Sequence, residues 1–266
     1  MIRLAFSPCP NDTFIFDALV HGKIDLEGLK FEFRMEDVET LNQLALKGQA
    51  DMIKVSYHAY LYLQQRFVLL QSGSALGQGN GPLLIAKKNF SPQEIPLLTI
   101  AVPGEYTTAH LLFRLAFPGA MLKRFMVFSQ IEDAILQDKV DAGVIIHENR
   151  FTYQDKGLAR ILDLGEFWED LTHTPIPLGG IVARRSLGYE LINKLNRIMY
   201  RSVEYAMLNG PDAMPFVLAN AREMNEAVIM KHIGLYVNDF TLQLGKEGSL
   251  AVSRLLDIAR EKKLMI

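Results

Sequence analysis

The sequence predicts an α/β protein of two lobes, with a ligand cleft between them and a helical C-terminal region. Three observations predict this. Strand and helix patterns alternate over the first 70 residues, a second alternating unit begins near residue 98, and the last third carries only helical periodicity. A chain of 266 residues is also long enough for two lobes of roughly 100 to 150 residues, each with its own core.

Taken in order, Ile2, Leu4 and Phe6 alternate as a strand. A Pro-rich loop, "SPCPNDT", then leads to Asn11 and Asp12, good caps for a helix that stops at Gly22. Leu29, Phe31 and Phe33 alternate again, and "DVETLNQLALKG" reads as a helix closed by Gly48. "DMIKV" is strand-like, and Ser56 is placed to cap the helix "YHAYLYLQQR". Such alternation is the signature of a parallel sheet with crossover helices. After the apolar run 67–70 comes "SGSALGQGNGP", with four glycines in nine residues, and then the strand "LLIA".

"NFSPQEIP" reads as a linker. The second unit runs through the strand "LLTIAV", the turn "PGEYTT", the helix "AHLLFRLAF", a strand near "FMVF", the helix "IEDAILQ" and the strand "AGVII". "ILDLGEFWEDLTHTPIPLGGIVA" reads as a turn and a return strand, and three amphipathic patterns cover roughly 188–208, 211–233 and 246–262. The expected division is therefore a first lobe over 1–92, a second over 93–177, and a return to the first over 178–266.

Composition excludes several classes of function. Apolar residues make up 49% and charged residues 22%, and 28 Lys and Arg are scattered among 30 Asp and Glu for a net charge of −2. No basic block suggests a nucleic-acid partner. Cys9 is the only cysteine, so neither an intramolecular disulfide nor a thiolate metal site is expected, and a reducing cytoplasm fits. The start of the chain offers no uninterrupted apolar stretch of ~7 to 15 residues, so export is not expected. No run of ~18 apolar residues predicts a membrane span.

In open parallel sheets ligands sit beyond the carboxyl ends of the strands. Those ends carry "SPCPNDT", Lys54 to Ser56, "GEYTT" and His147. Three of the four precede a helix start, whose unpaired amides and dipole suit a carboxylate. Each piece also has a plainer reading. Ser56, Thr107 and Thr108 serve equally as helix caps. Lys54 shares a face with Met52 and Ser56 in an otherwise apolar strand, and its ammonium needs either a structural carboxylate or an anionic ligand. His147 is either a hydrogen-bonded structural residue or a general base facing the other lobe across a cleft, a role its ordinary pKa near ~6.5 suits. Glu148 points elsewhere if the strand continues. His58 and His110 fall in first helical turns near the cleft and read as core or surface residues.

Other motifs fail. "HENRF" lacks the second histidine of H-E-x-x-H, and His21, His58, His110, His173 and His232 show no ligand spacing, so no metal site is expected. "GQGNG" does not fit G-x-G-x-x-G, no G-K-[ST] occurs, and Ser72, Ser74 and Ser129 lack the G-x-S-x-G elbow. The sequence demands no cofactor.

The blocks "SPCPNDTFIFDALVHG", "EDVETLN", "KVSYHAY", "SGSALGQGNGPL", "TTA", "DAGVIIHENRFTY" and "LDLGEFWEDLTHTPIPLGG" closely resemble the 1,4-dihydroxy-6-naphthoate synthase family, of the futalosine route to menaquinone. The resemblance runs from residue 1 to about 185. It implies a cytoplasmic lyase of the type 2 periplasmic-binding-protein fold that converts cyclic dehypoxanthine futalosine, a small carboxylate, into 1,4-dihydroxy-6-naphthoate with release of a dihydroxyacetone-type fragment, without metal or organic cofactor. It further implies His147 as proton acceptor, and Lys54, Val55, Ser56, Thr107 and Thr108 as substrate contacts. One departure is Phe167, where relatives often carry a second tryptophan, with packing at the cleft as the expected consequence. Two other readings fit the same cleft. A transporter's solute-binding receptor would call for a signal peptide or a lipid-anchor cysteine, and chorismate dehydratase, a sister enzyme, would act on chorismate.

Overall fold

The computed structural model describes residues 1–222 and 225–265. The first third follows the expected alternation: β1 (Ile2–Phe6), α1 (Pro10–Val20), β2 (Phe31–Met35), α2 (Val38–Leu46), β3 (Met52–Ser56), α3 (Tyr57–Leu63), β4 (Phe67–Leu69), β5 (Ala75–Gly77) and β6 (Leu83–Ala86). It continues through β7 (Ile100–Val102), α4 (Thr108–Ala116), β8 (Lys123–Phe125), α5 (Ile131–Leu136), β9 (Ala142–Ile145), the short α6 (Asn149–Thr152) and β10 (Ala159–Asp163). The rest is α7 (Leu164–Thr172), β11 (Ile176–Arg184), α8 (Tyr189–Leu208), α9 (Gly210–Asn220), α10 (Glu226–Tyr236), the short α11 (Asp239–Leu242) and α12 (Gly245–Glu261).

Two mixed sheets result. The first has the order β2-β1-β3-β11-β4, with β5 also paired to β11; the second has the order β10-β6-β9-β7-β8. Parallel pairs join β1 to β2 and β3, and β7 to β8 and β9, as crossover helices require. The central strands β3, β6, β7 and β9 are buried along their length, so they read as apolar runs rather than alternations. Separate apolar clusters pack against the sheets. One joins β1 and α1 to α8 and α9, and another joins β6 and β9 to α5.

The chain crosses between the sheets twice, at residues 78–82 and again between β10 and β11. The first crossing precedes the linker expected at 89–96, because β6 pairs antiparallel with β9 in the second sheet. The second contains elements that the sequence pattern merges into a turn. Asp163 accepts hydrogen bonds from the amides of Gly165 and Glu166 and so starts α7, and β10 pairs antiparallel with β6. The crossings touch where a Cβ on Gly81 would collide with the backbone of Gly165, so both positions exclude a side chain. The amphipathic pattern at 211–233 is two helices, α9 and α10; its residues 223 and 224 lie outside the described ones.

Candidate active site

β3, at the centre of the first sheet, delivers Lys54, Val55 and Ser56 to a cleft that is open to solvent. The start of α4 brings Thr107, Thr108 and Ala109 to it, and the end of β9 brings Ile146 and His147. All six residues expected in the site line this one cleft. Its floor is kept open at Gly179 on β11, where a Cβ would meet the carbonyl of Val55 at 2.8 Å.

Lys54 has a structural carboxylate as one partner. Its ammonium donates to Oδ1 of Asp12 at 2.9 Å and to the Gly73 carbonyl at 3.1 Å. Asp12 also accepts from the Ser7 hydroxyl at 2.7 Å and from the Asn11 amide at 3.0 Å. Asn11 and Asp12 are not caps as expected, because Cys9 holds the N-cap position of α1 and Pro10 takes the first turn. They are freed to line the cleft.

Ser56 sits at the N-cap position of α3, yet its side chain makes no capping bond. Instead its amide donates to Oδ1 of Asn42 at 2.9 Å and its hydroxyl accepts from Nδ2 of Asn42 at 3.1 Å. Thr107 does cap α4, accepting from the His110 amide at 3.2 Å while donating to the Gly104 carbonyl at 2.9 Å. Thr108 donates to the Leu178 carbonyl at 2.6 Å and accepts from the His58 amide at 3.3 Å, so it ties the two helix starts together. The Thr108 and Ala109 amides, first in α4, have no intrahelical acceptor and stand at the edge of the cleft, where a helix start favours negative charge.

His147 holds a left-handed backbone, φ 59°, that ends the run from β9 and turns the chain into α6. Its ring packs against Phe128, at 4.9 Å between centroids, and lies near-parallel to His232 at 6.0 Å. Nε2 of His147 is buried with no hydrogen-bond partner among the described residues. Burial lowers its pKa to about 4, with Lys54 and Arg222 adding to the shift and Asp12 opposing it. The ring is therefore neutral at pH 7 and able to accept a proton.

Glu148 is buried at the start of α6 but is not among the cleft-lining residues. His58 and His110 are buried too, with their rings 6.1 Å apart, and do not line it. Nor does Phe167, which is half-buried on α7. Sequence reasoning missed Asn80, Leu178, Gly179 and Tyr236 as cleft residues. "GQGNG" is a visible signal for Asn80, whereas nothing local marks Tyr236. Among the described residues, no group of acidic, histidine or cysteine side chains is arranged to hold a metal.

Comparison with known proteins adds to this geometry. A profile of the menaquinone biosynthesis family matches residues 2–261. A protein of Thermus thermophilus named 1,4-dihydroxy-6-naphtoate synthase is 45% identical over 99% of this chain and 95% of its own length. A solved protein of Archaeoglobus fulgidus superposes with a TM-score of 0.94 at 36% identity, covering 99% of this chain and 98% of that one. The periplasmic aliphatic sulphonate binding protein of Escherichia coli shares the fold alone, with a TM-score of 0.66 at 12% identity over 99% of this chain and 88% of that one.

Proposed function

This chain belongs to the menaquinone biosynthesis family and is a lyase forming 1,4-dihydroxy-6-naphthoate, and on that premise we propose that His147 is its proton acceptor and cyclic dehypoxanthine futalosine its substrate. One observation supports the residue assignment most directly: His147 lines the same cleft as Lys54, Val55, Ser56, Thr107 and Thr108, residues from three separate stretches of chain.

In this reading the substrate carboxylate lies at the start of α4, where the free amides and the helix dipole favour negative charge. Ser56, Thr107 and Thr108 already hold protein partners, so they act chiefly by fixing the cleft wall, with their remaining lone pairs open to a substrate hydroxyl. Lys54 is held by Asp12 and keeps one N–H for the ligand. His147 removes a proton from the bound intermediate, and the fragmentation that follows is driven by aromatisation. The protein then supplies orientation, a base and exclusion of water. Asp12 provides the negative charge that favours the imidazolium once it forms.

No cofactor enters this scheme, and the reaction takes place in the cytoplasm. Among the described residues no helix is long and apolar enough to cross a membrane. The test is His147→Ala or His147→Asn. Removing a general base costs about 10² to 10⁴ fold in kcat, while substrate still binds. Unchanged release of the naphthoate chromophore by either variant would refute the assignment. Chorismate offered to the wild-type chain should not be dehydrated.

A further inference from the structure

The crossing segment 78–82 carries a side chain that the scheme above leaves unused. Asn80 is fully buried and lines the cleft, yet neither its Oδ1 nor its Nδ2 has a hydrogen-bond partner among the described residues. Its backbone, by contrast, is held, because the Tyr236 hydroxyl donates to the Asn80 carbonyl at 3.2 Å. Room for the carboxamide is made by Gly77, where a Cβ would lie 2.8 Å from Nδ2 of Asn80. Buried polar side chains are nearly always paired, and a carboxamide with both ends unmet is costly to keep.

Its position bears on the chemistry. Leu83 pairs with Ile145 at the end of the antiparallel β6–β9 ladder, so the crossing segment and the turn that carries His147 leave the second sheet from the same end. A chain of rings makes the same connection: Tyr236 lies 4.6 Å from His232, which lies 6.0 Å from His147. Asn80 is therefore joined through Tyr236 and His232 to the wall of the cleft that holds His147, while the free amides of α4 lie at the cleft's other contributing segment. We propose that the Asn80 carboxamide is a substrate-binding and specificity-determining residue, pairing with a hydroxyl on the part of the substrate that departs as the dihydroxyacetone-type fragment. This rests on the reading given under the proposed function. A carboxylate would meet the two Nδ2 donors but set its lone pairs against Oδ1, whereas a hydroxyl donates to one end of the amide and accepts from the other.

The experiment measures substrate affinity by titration in a His147→Ala background, where turnover is slowed by about 10² to 10⁴ fold, with and without Asn80→Ala or the isosteric Asn80→Asp. Each Asn80 change should weaken binding about tenfold or more, the loss of one or two ligand hydrogen bonds. The thermal midpoint of ligand-free Asn80→Ala should stay level or rise, since an unpaired buried amide is removed. A substrate analogue lacking the hydroxyls of the departing fragment should bind the parent protein and the Asn80→Ala variant alike. Affinity within twofold of the parent for both variants would overturn the proposal. So would a variant that fails to fold or melts several degrees lower, which would make the amide a structural part. An analogue that still distinguishes the two would overturn the hydroxyl assignment. Release of naphthoate by the wild-type chain is the separate control, because its absence would sink the parent reading instead.

Discussion

Asp12 is the residue on which the cleft's polar network converges, accepting from Ser7, Asn11 and Lys54 at once. Leaving one member of a buried ion pair alone costs about 3 to 5 kcal/mol. Lys54→Met should therefore lower stability by that order in denaturant unfolding, well beyond the loss of one ligand contact. Mutual dependence of this kind separates Lys54 from Ser56, whose hydroxyl is one partner in a neutral pair with Asn42. For His147, burial lowers the pKa to about 4, so the neutral, proton-accepting ring is fully available above that pH. The pH profile of kcat/KM should then be flat through neutral pH on its acid side and fall only as pH approaches about 4. An acid limb centred near 6.5 would show that burial does not set this group.

At the scale of elements, the two crossings are the parts whose packing tolerates least. Gly81 and Gly165 approach so closely that an added methyl on either meets backbone atoms rather than a movable side chain. Overpacking of this kind costs about 1 to 3 kcal/mol, so Gly81→Ala and Gly165→Ala should each lower the thermal midpoint. Both substitutions should also disturb turnover, because Arg150 donates to the Gly81 carbonyl at 2.9 Å while also pairing with Asp163, which caps α7. The helix starts offer a contrast. Thr107→Val removes the hydroxyl that accepts from the His110 amide and should cost about 0.5 to 2 kcal/mol. Thr108→Val breaks the link between α3 and β11 instead, and its effect should appear in substrate affinity as well as in stability. Paired unfolding and titration measurements on the two variants check this difference.

For the molecule as a whole, buried histidines dominate the response to acid. Burial lowers His58 to about 3 and both His110 and His147 to about 4, and it takes His232 well below its ordinary value of 6.5. In the unfolded chain these rings protonate near 6.5, whereas in the folded chain they remain neutral. The unfolded state thus binds more protons between about 6.5 and 4. Stability is fully present above 6.5 and is lost as pH falls through that window. Equilibrium unfolding monitored from pH 8 to pH 4 should show a steep loss beginning near 6.5. His110→Gln, at a ring outside the cleft, should flatten it by about one proton.

Much of this architecture was legible in local pattern. The period-2 strands at the start, Thr107 as a cap, and the polar tips of β3 and β9 all follow from chemistry within a few residues of one another. The segment 159–172 was not, because Gly165 interrupts an otherwise good start for α7 and β10 has meaning only against β6, over 70 residues earlier in the chain. The cleft divides in the same way. His147, Lys54 and the threonines announce themselves as polar groups ending apolar runs, whereas Asp12 as the partner of Lys54 and Tyr236 as a wall come from distant stretches. Residue types, and the alternation that sends strand ends toward a common edge, are properties of the chain read locally. Which tips meet, which hydroxyls are already bonded and which buried amide is left without a partner were settled by the folded packing, because those outcomes depend on long-range pairing and on burial rather than on neighbours in the chain.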